Sequence, residues 1–296
     1  MSVLIPSGYL VPTPVPSNLL GPAPRWVLMG VGRVRRVLRS VQGTRYVTPL
    51  REGGSLPGIV EADDDGTYVV KFRGAGQGSA ALVAEVVVGE LGRRIGVRVP
   101  ELVVIDLDPE IAKREPDEEV QELLKASTGA NLGMDFLPGS VGYDGIGWQP
   151  PGPEAARIYW LDAFAANIDR TWANPNLLVW HRTLWAIDHG AALVFQHAWP
   201  PVATWATRRY DLSEHVLRPV LERLDAAARV ALDVELRATL TPAVLAEVLA
   251  EVPDEWLLGM NSARGDDRDA DAWRARYAGY LSARLAGARS WWDGPS

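Results

Sequence analysis

Residues 68 to 85 read YVVKFRGAGQGSAALVAE, and they limit the folds open to the chain more than any other stretch. An apolar run, a glycine cluster at Gly74, Gly76 and Gly78, and a helix-forming tail approach the fingerprint of a dinucleotide-binding fold. Even an acidic residue, Asp106, follows the next strand-like run, LVVI. The lysine argues the other way. The first strand of a dinucleotide fold lies in a parallel sheet buried on both faces, where Lys71, between Val70 and Phe72, would be costly. An antiparallel sheet with one wet or ligand-facing side takes it easily. Its partner stands just upstream, because GIVEA, the turn DDDG and TYVVKF read as a tight hairpin.

Residues 79 to 95, SAALVAEVVVGELGRRI, form a helix with Ser79 placed to cap its start. Glu85 interrupts an apolar run from Ala80 to Val88, and a carboxylate on such a face costs several kcal/mol, roughly, unless a cation meets it. Lys71 is the expected partner; the alternative is that Glu85 faces water. Glu90 is expected to pair with Arg94, one turn on.

Composition bounds the rest. With 296 residues, 47% of them hydrophobic, the chain can bury a large core as one two-lobed unit or two small domains. A formal net charge of −7 disfavours nucleic acid as a partner, since phosphate neutralisation needs a basic surface. The chain has no cysteine, which removes disulfides, thiolate nucleophiles and cysteine-ligated zinc together. No apolar run approaches the roughly 20 residues that span a bilayer. The start, MSVLIPSGYLVPTPVPSNLLGPAP, has no basic leader and is broken by prolines, so residues 1–40 read as an arm on a soluble, cytoplasmic protein. Arg33, Arg35, Arg36 and Arg39 crowd the end of that arm, as a solvated face or a contact for anionic lipid or phosphate. The twelve tryptophans are expected to serve mainly in packing.

Along the chain, TRYVTPL and VPELVVIDLD read as strands, and PEIAKREPDEEVQELLKAS as a solvated acidic helix or insert. NLGMDFLPGS is a last strand running into Pro138 and Gly139, the expected boundary between a first part, 41–138, and a second, 139–296. Beyond residue 150 the pattern is mainly helical.

The chemistry concentrates in AANIDRTWANPNLLVWHRTLWAIDHGAAL, residues 165 to 193. LLVWH and TLWAI flank a turn at Arg182, and antiparallel pairing brings the loop before the first strand near the residue after the second. Asn174 and Asp188 are therefore expected to converge as a hard-cation site, with Mg²⁺ as the metal. Asp169 stands on the same loop as a base for the attacking group, and Lys71 offers a cation for phosphates, which is most of what phosphoryl transfer asks for. The D-R-x-x-x-N spacing also takes in Arg170, counted with Asp169 and Lys71 among the catalytic candidates.

At these residues the chain resembles the HipA-like kinases, more distantly the type II phosphatidylinositol 4-kinases, and through both the protein-kinase fold. The resemblance runs from about Thr44 to the helices after Asp188. It implies an α+β fold of two lobes, a small antiparallel-sheet lobe with one main helix and a mainly helical lobe, with ATP between them. It implies that Lys71 contacts phosphates and pairs with Glu85, that Asp169 is the catalytic base, and that Asn174 and Asp188 hold magnesium. It also implies an adenine hinge at Met134, Asp135 and Phe136 and a phosphate-covering loop at Gly53, Gly54 and Ser55. Two departures stand out. The full-length toxin kinases carry an additional amino-terminal region and work beside a DNA-binding antitoxin, and Asn167, not a histidine, stands two residues before Asp169.

Other chemistries fit less well. His181, His189, His197 and His215 are scattered, no G-x-S-x-G elbow supports a hydrolase, and an Asp162 and Asp169 glycosidase pair would leave Asn174 and Asp188 idle. The expectation is an ATP- and Mg²⁺-dependent phosphotransferase acting on a hydroxyl acceptor, protein serine or threonine first, with an inositol lipid head group or a small metabolite as alternatives. A catalytically silent nucleotide-binding scaffold and an AMP transferase are the rival readings of the same residues.

Overall fold

The computed structural model describes residues 38–50, 56–75, 78–209, 211, 213–260 and 269–287, a mixed α/β architecture. All lie within one compact unit, Arg35–Ser296. Residues 1–37 of the expected arm, with Arg33, Arg35 and Arg36, fall outside the described residues; Arg39 is described and pairs with Asp64 and Glu101.

Five strands close into a barrel: β1 (Ser40–Pro49), β2 (Gly58–Ala62), β3 (Thr67–Lys71), β4 (Leu102–Leu107) and β5 (Gly129–Asp135), in the order β1-β2-β3-β5-β4. The hairpin is as expected: β2 and β3 pair antiparallel, with Val60 opposite Tyr68. Asp65 in its turn takes φ 62°, a left-handed conformation that a short polar side chain tolerates. The expected antiparallel sheet is mixed at one pairing. β1 and β4 run parallel, Ser40 opposite Val104, because closing the barrel sets the first strand against the fourth and leaves no open edge.

Alternation along β4 sorts its side chains between two cores. Val103, Ile105 and Leu107 join Val60, Val70 and, from α2 (Glu118–Ala126), Val120 and Leu124. Leu102 and Val104 join the larger core, which contains α1 (Gly78–Arg94). A Cβ added at Gly133 in β5 would meet Val103 Cγ2 at 2.7 Å, so the strands there pass too closely for a side chain. The acidic stretch is a 3-10 turn, Pro109–Arg114, followed by α2, whose start is capped by the Asp117 carboxylate accepting the Glu119 and Val120 N–H groups.

α1 is hydrophobic nearly all round and is accordingly enclosed, between the barrel and α3 (Gly152–Ala165), α7 (Pro242–Glu251) and α8 (Asp254–Leu258). It begins at Gly78, with φ +64°, so Ser79 sits inside the first turn and is not the cap. Arg94 also takes other partners than expected. Arg93 meets Glu90 at 3.2 Å, while Arg94 reaches Glu247 and Glu251 on α7, each at 3.0 Å.

A second sheet joins β6 (Val141–Gly142), β7 (Leu177–Trp180) and β8 (Thr183–Ala186). The β7–β8 turn is His181 and Arg182, at φ 49° and 59°, a geometry whose twist suits a two-residue hairpin. α4 (Val202–Thr207), α5 (Arg218–Glu222), α6 (Ala226–Thr239) and α9 (Ala270–Ala286) complete the helical part. Trp160, Trp205, Trp256 and Trp273 are fully buried, in keeping with a packing role. Among the described residues no helix is long and apolar enough to cross a membrane.

Candidate active site

Lys71 ends β3, and Glu85 lies midway along α1 in an unbroken run of buried residues from Ala81 to Gly89. The fold brings them together as expected. The Lys71 ammonium donates to Glu85 Oε1 and, at 2.6 Å, to Asp188 Oδ1, which arrives from the far side of the β7–β8 ribbon. Glu85 is wholly buried, and 38% of the Asp188 side chain is exposed. Burial would raise the Glu85 carboxyl, but Lys71 and His189 outweigh it and hold it well below the usual carboxylate range. Asp188 goes the other way: burial raises it, the Glu85 charge adds to that, and Lys71 only partly opposes. Burial also disfavours the Lys71 cation, yet Glu85 and Asp188 outweigh this, and the ammonium persists. One cation thus serves two carboxylates. Among the described residues Glu85 Oε2 has no hydrogen-bond partner, with His189 Nδ1 at 3.6 Å.

The loop that carries Asp169 starts where α3 ends, at Ala166, whose left-handed φ of 50° turns the chain out of the helix. Asp162, one turn before that end, is fully buried and faces Arg170: Nε to Oδ2 is 2.5 Å, with neither side chain exposed. Burial alone would raise the Asp162 carboxyl, but the Arg170 guanidinium and a hydrogen bond from His215 hold it down, at about 2. Asp162 Oδ1 accepts Asn167 Nδ2 at 2.9 Å, and Asn167 Oδ1 accepts the Asp169 N–H at 3.2 Å. Arg170, counted among the catalytic candidates, needs correction. It is enclosed, its Nε donating to Asp162 and its Nη1 to the carbonyl oxygens of Asn176 and, at 3.3 Å, Ile187. Its place is in the scaffold of the loop, joining α3 to both ends of the ribbon. The buried Asp162 and Arg170 pair also removes Asp162 from any glycosidase role.

Asp169 is half-buried, and its Oδ2 accepts two amide donors, Asn174 Nδ2 at 2.8 Å and Asn176 Nδ2 at 3.2 Å. Asn176 was not among the residues singled out by sequence. Its signal was present: N-P-N ends at the first residue before β7, where the ribbon register opposes Leu177 to Ala186. That register puts Asn176 at the open end of the ribbon, its carbonyl accepting the Ile187 N–H at 3.1 Å, and leaves Asn174 further out on the loop. Asn176 and Asp188 are both left-handed, at φ 49° and 54°. Asn and Asp are the residue types that tolerate this conformation, and here it lies on either side of one ribbon.

Oxygen donors and a surplus of negative charge fit a hard divalent cation. Among the described residues no three His, Cys, Asp or Glu side chains gather as an all-protein cage. A cation held by one carboxylate, an amide oxygen and substrate phosphates is the arrangement Mg²⁺ favours. Asp188 with Asn176 or Asn174 would supply those donors. The scattered histidines form no metal site among the described residues.

Of the expected hinge residues, Met134 and Asp135 end β5 and Phe136 follows it, next to Lys71's strand, with Val69 opposite Met134. The Asp135 N–H is donated to the Glu101 carbonyl at 2.8 Å and the Phe136 N–H to that of Thr67 at 3.0 Å. Met134 is buried, and Phe136 is 38% exposed. The expected phosphate-covering loop, Gly53, Gly54 and Ser55, lies outside the described residues.

Residues 44–276, more than three quarters of the chain, match the family model described as HipA-like kinase. Among solved structures the chain is similar to the crystal structure of a Helicobacter pylori proinflammatory kinase, CtkA, with 11% sequence identity and a TM-score of 0.52. That match covers 82% of this chain and 93% of the other, and at such identity it bears on the fold alone. No curated protein matches.

Proposed function

This chain belongs to the HipA-like kinase family, and on that premise we propose that it moves the γ-phosphate of ATP to a hydroxyl acceptor, with protein serine or threonine the first candidate. The observation that carries the reading is the meeting of Lys71 from β3, Glu85 from α1 and Asp188, just past the β7–β8 ribbon that follows the Asp169 loop. Nothing in barrel or helix packing calls for a buried lysine between two acids, and one acid is left in surplus.

In this reading the nucleotide lies between residues 41–138 and 139–296, taken as two lobes. Lys71, fixed by Glu85, presents its ammonium to the phosphates. Asp188 and an asparagine amide oxygen would hold Mg²⁺, which when bound would neutralise phosphate charge. The base lies along residues 134–137, facing carbonyl oxygens there, since the Asp135 and Phe136 amides are already used. Asp169, oriented by its two asparagine donors and by Asn167 beneath its amide, accepts the proton of the attacking hydroxyl. Half-burial keeps its carboxylate in reach of an acceptor. Arg170 and Asp162 keep the loop in register.

The test is transfer of label from ATP carrying the isotope at the γ or the α position, with the products separated into protein, lipid and small-molecule fractions. Label from the γ position in the protein fraction, lost by about 100-fold or more in Asp169→Asn with ATP binding retained, is the expected result. Label from the α position would make the chain an AMP transferase, and ATP binding without any transfer would make it a silent scaffold.

A further inference from the structure

We propose that His215 is the positioning residue that locks the Asp169 loop to helix α3, in an assembly His215–Asp162–Asn167–Asp169 that no sequence motif announces. The inference rests on the phosphotransfer reading above and adds a residue to its machinery.

His215 follows Asp169 by more than ten turns' worth of chain, yet it is only 2% exposed and lies beneath the loop. Its two ring nitrogens have separate partners. Nδ1 is 3.1 Å from the Leu217 backbone nitrogen, which can only donate, so Nδ1 is the acceptor and carries no proton. The proton of the neutral ring therefore sits on Nε2, and Nε2 faces Asp162 Oδ2 at 3.2 Å. Asp162 in turn accepts Arg170 Nε on the same oxygen and Asn167 Nδ2 on the other, and Asn167 accepts the Asp169 amide. A continuous run of hydrogen bonds thus leads from the Leu217 amide to the backbone of the proposed base.

The main chain repeats the connection. Thr171 and His215 form an isolated antiparallel bridge, the Trp172 N–H donates to the Glu214 carbonyl at 3.1 Å, and the Val216 N–H to that of Arg170 at 3.4 Å. The loop is therefore clasped between α3 on one side and residues 214–217 on the other, and the imidazole joins the two clasps. The charged and titratable groups that face it are Asp162 and Arg170, with Tyr159 edge-on at 4.8 Å between ring centroids. Asp162 and Arg170 already balance each other, so a neutral imidazole completes the cluster without adding charge, and burial favours that neutral form.

His215→Phe keeps a ring against Tyr159 and removes both nitrogens, and His215→Gln restores an amide donor for Asp162. The expected result is a fall in kcat for γ-phosphate transfer of about tenfold or more in the Phe variant, with the KM for ATP within about twofold and a cooperative melt. Recovery of most of that loss in the Gln variant is expected too. Amide hydrogen exchange should rise at residues 167–172 in the Phe variant while α3 stays protected. A Phe variant with wild-type kcat and unchanged exchange overturns the proposal. So does a Phe or Gln variant that loses kcat only together with its cooperative melt. If the wild-type protein transfers no γ-phosphate, the phosphotransfer reading fails; hydrogen exchange at 167–172 then decides the positioning role by itself.

Discussion

The Lys71 ammonium lies 2.6 Å from Asp188, a residue 117 positions later, while the same ammonium holds Glu85 midway along the enclosed helix α1. One cation between two acids makes the site stable enough to persist and charged enough to need a further cation. Lys71→Met should leave Glu85 buried without its counter-ion, at a cost of about 3–5 kcal/mol, whereas adding Glu85→Leu to it should return most of that loss. Urea denaturation of the two single variants and the double variant, read as a thermodynamic cycle, checks this.

Asp188 carries the surplus charge. Its folded carboxyl is raised above the unfolded one, so it favours the native state only below the ordinary carboxylate range and opposes it once pH rises through the folded value. Asp188→Asn removes the opposing charge. The metal-free variant should therefore melt at or above the wild-type temperature at neutral pH, while the stabilisation that ATP with Mg²⁺ confers on the wild type is lost. Thermal melts with and without ATP and Mg²⁺ decide it.

Asn176 takes a left-handed backbone and donates to Asp169 at 3.2 Å. Asn176→Gly keeps that backbone at no steric cost and deletes only the amide. Its melting temperature should stay near the wild-type value, and kcat should fall by about tenfold, the worth of one orienting hydrogen bond of roughly 1.4 kcal/mol. A melt and a steady-state assay on the same sample separate the two effects.

Burial pushes the His215 imidazole below its ordinary value despite the pull of Asp162. As pH falls, the unfolded chain takes up this proton before the folded one does, so unfolding becomes easier below the ordinary histidine range. His215→Phe lacks that proton site. The stability of the wild type relative to the Phe variant should therefore shrink as pH falls from about 7.5 to about 5. Denaturation midpoints at a series of pH values measure it, and a constant difference would contradict it.

Much of this site could be read along the chain. The β2–β3 hairpin follows from Asp-Gly between alternating apolar runs, and the enclosed α1 from its nearly uninterrupted hydrophobicity. Lys71 and Glu85 were legible as a pair because each is anomalous where it stands, a charge in an apolar run with no other local partner. The β7–β8 ribbon was legible from two short strands about a turn. Its fine register was not: two positions decide whether Asn174 or Asn176 stands at the mouth, and only strand pairing sets that.

Local pattern alone determined which segments are strand or helix and where the chain turns, because steric preference and hydrophobic period act over a few residues. Only the tertiary structure decided that β1 closes on β4 in parallel, that Arg94 reaches across to Glu247 and Glu251 instead of Glu90, and that Arg170 is scaffold. It alone also brought His215 beneath Asp162. Each of these choices depends on which distant surfaces exclude water together. The free energy of burying a charge depends on the partner that packing delivers, and the spacing of residues along the chain carries no record of it.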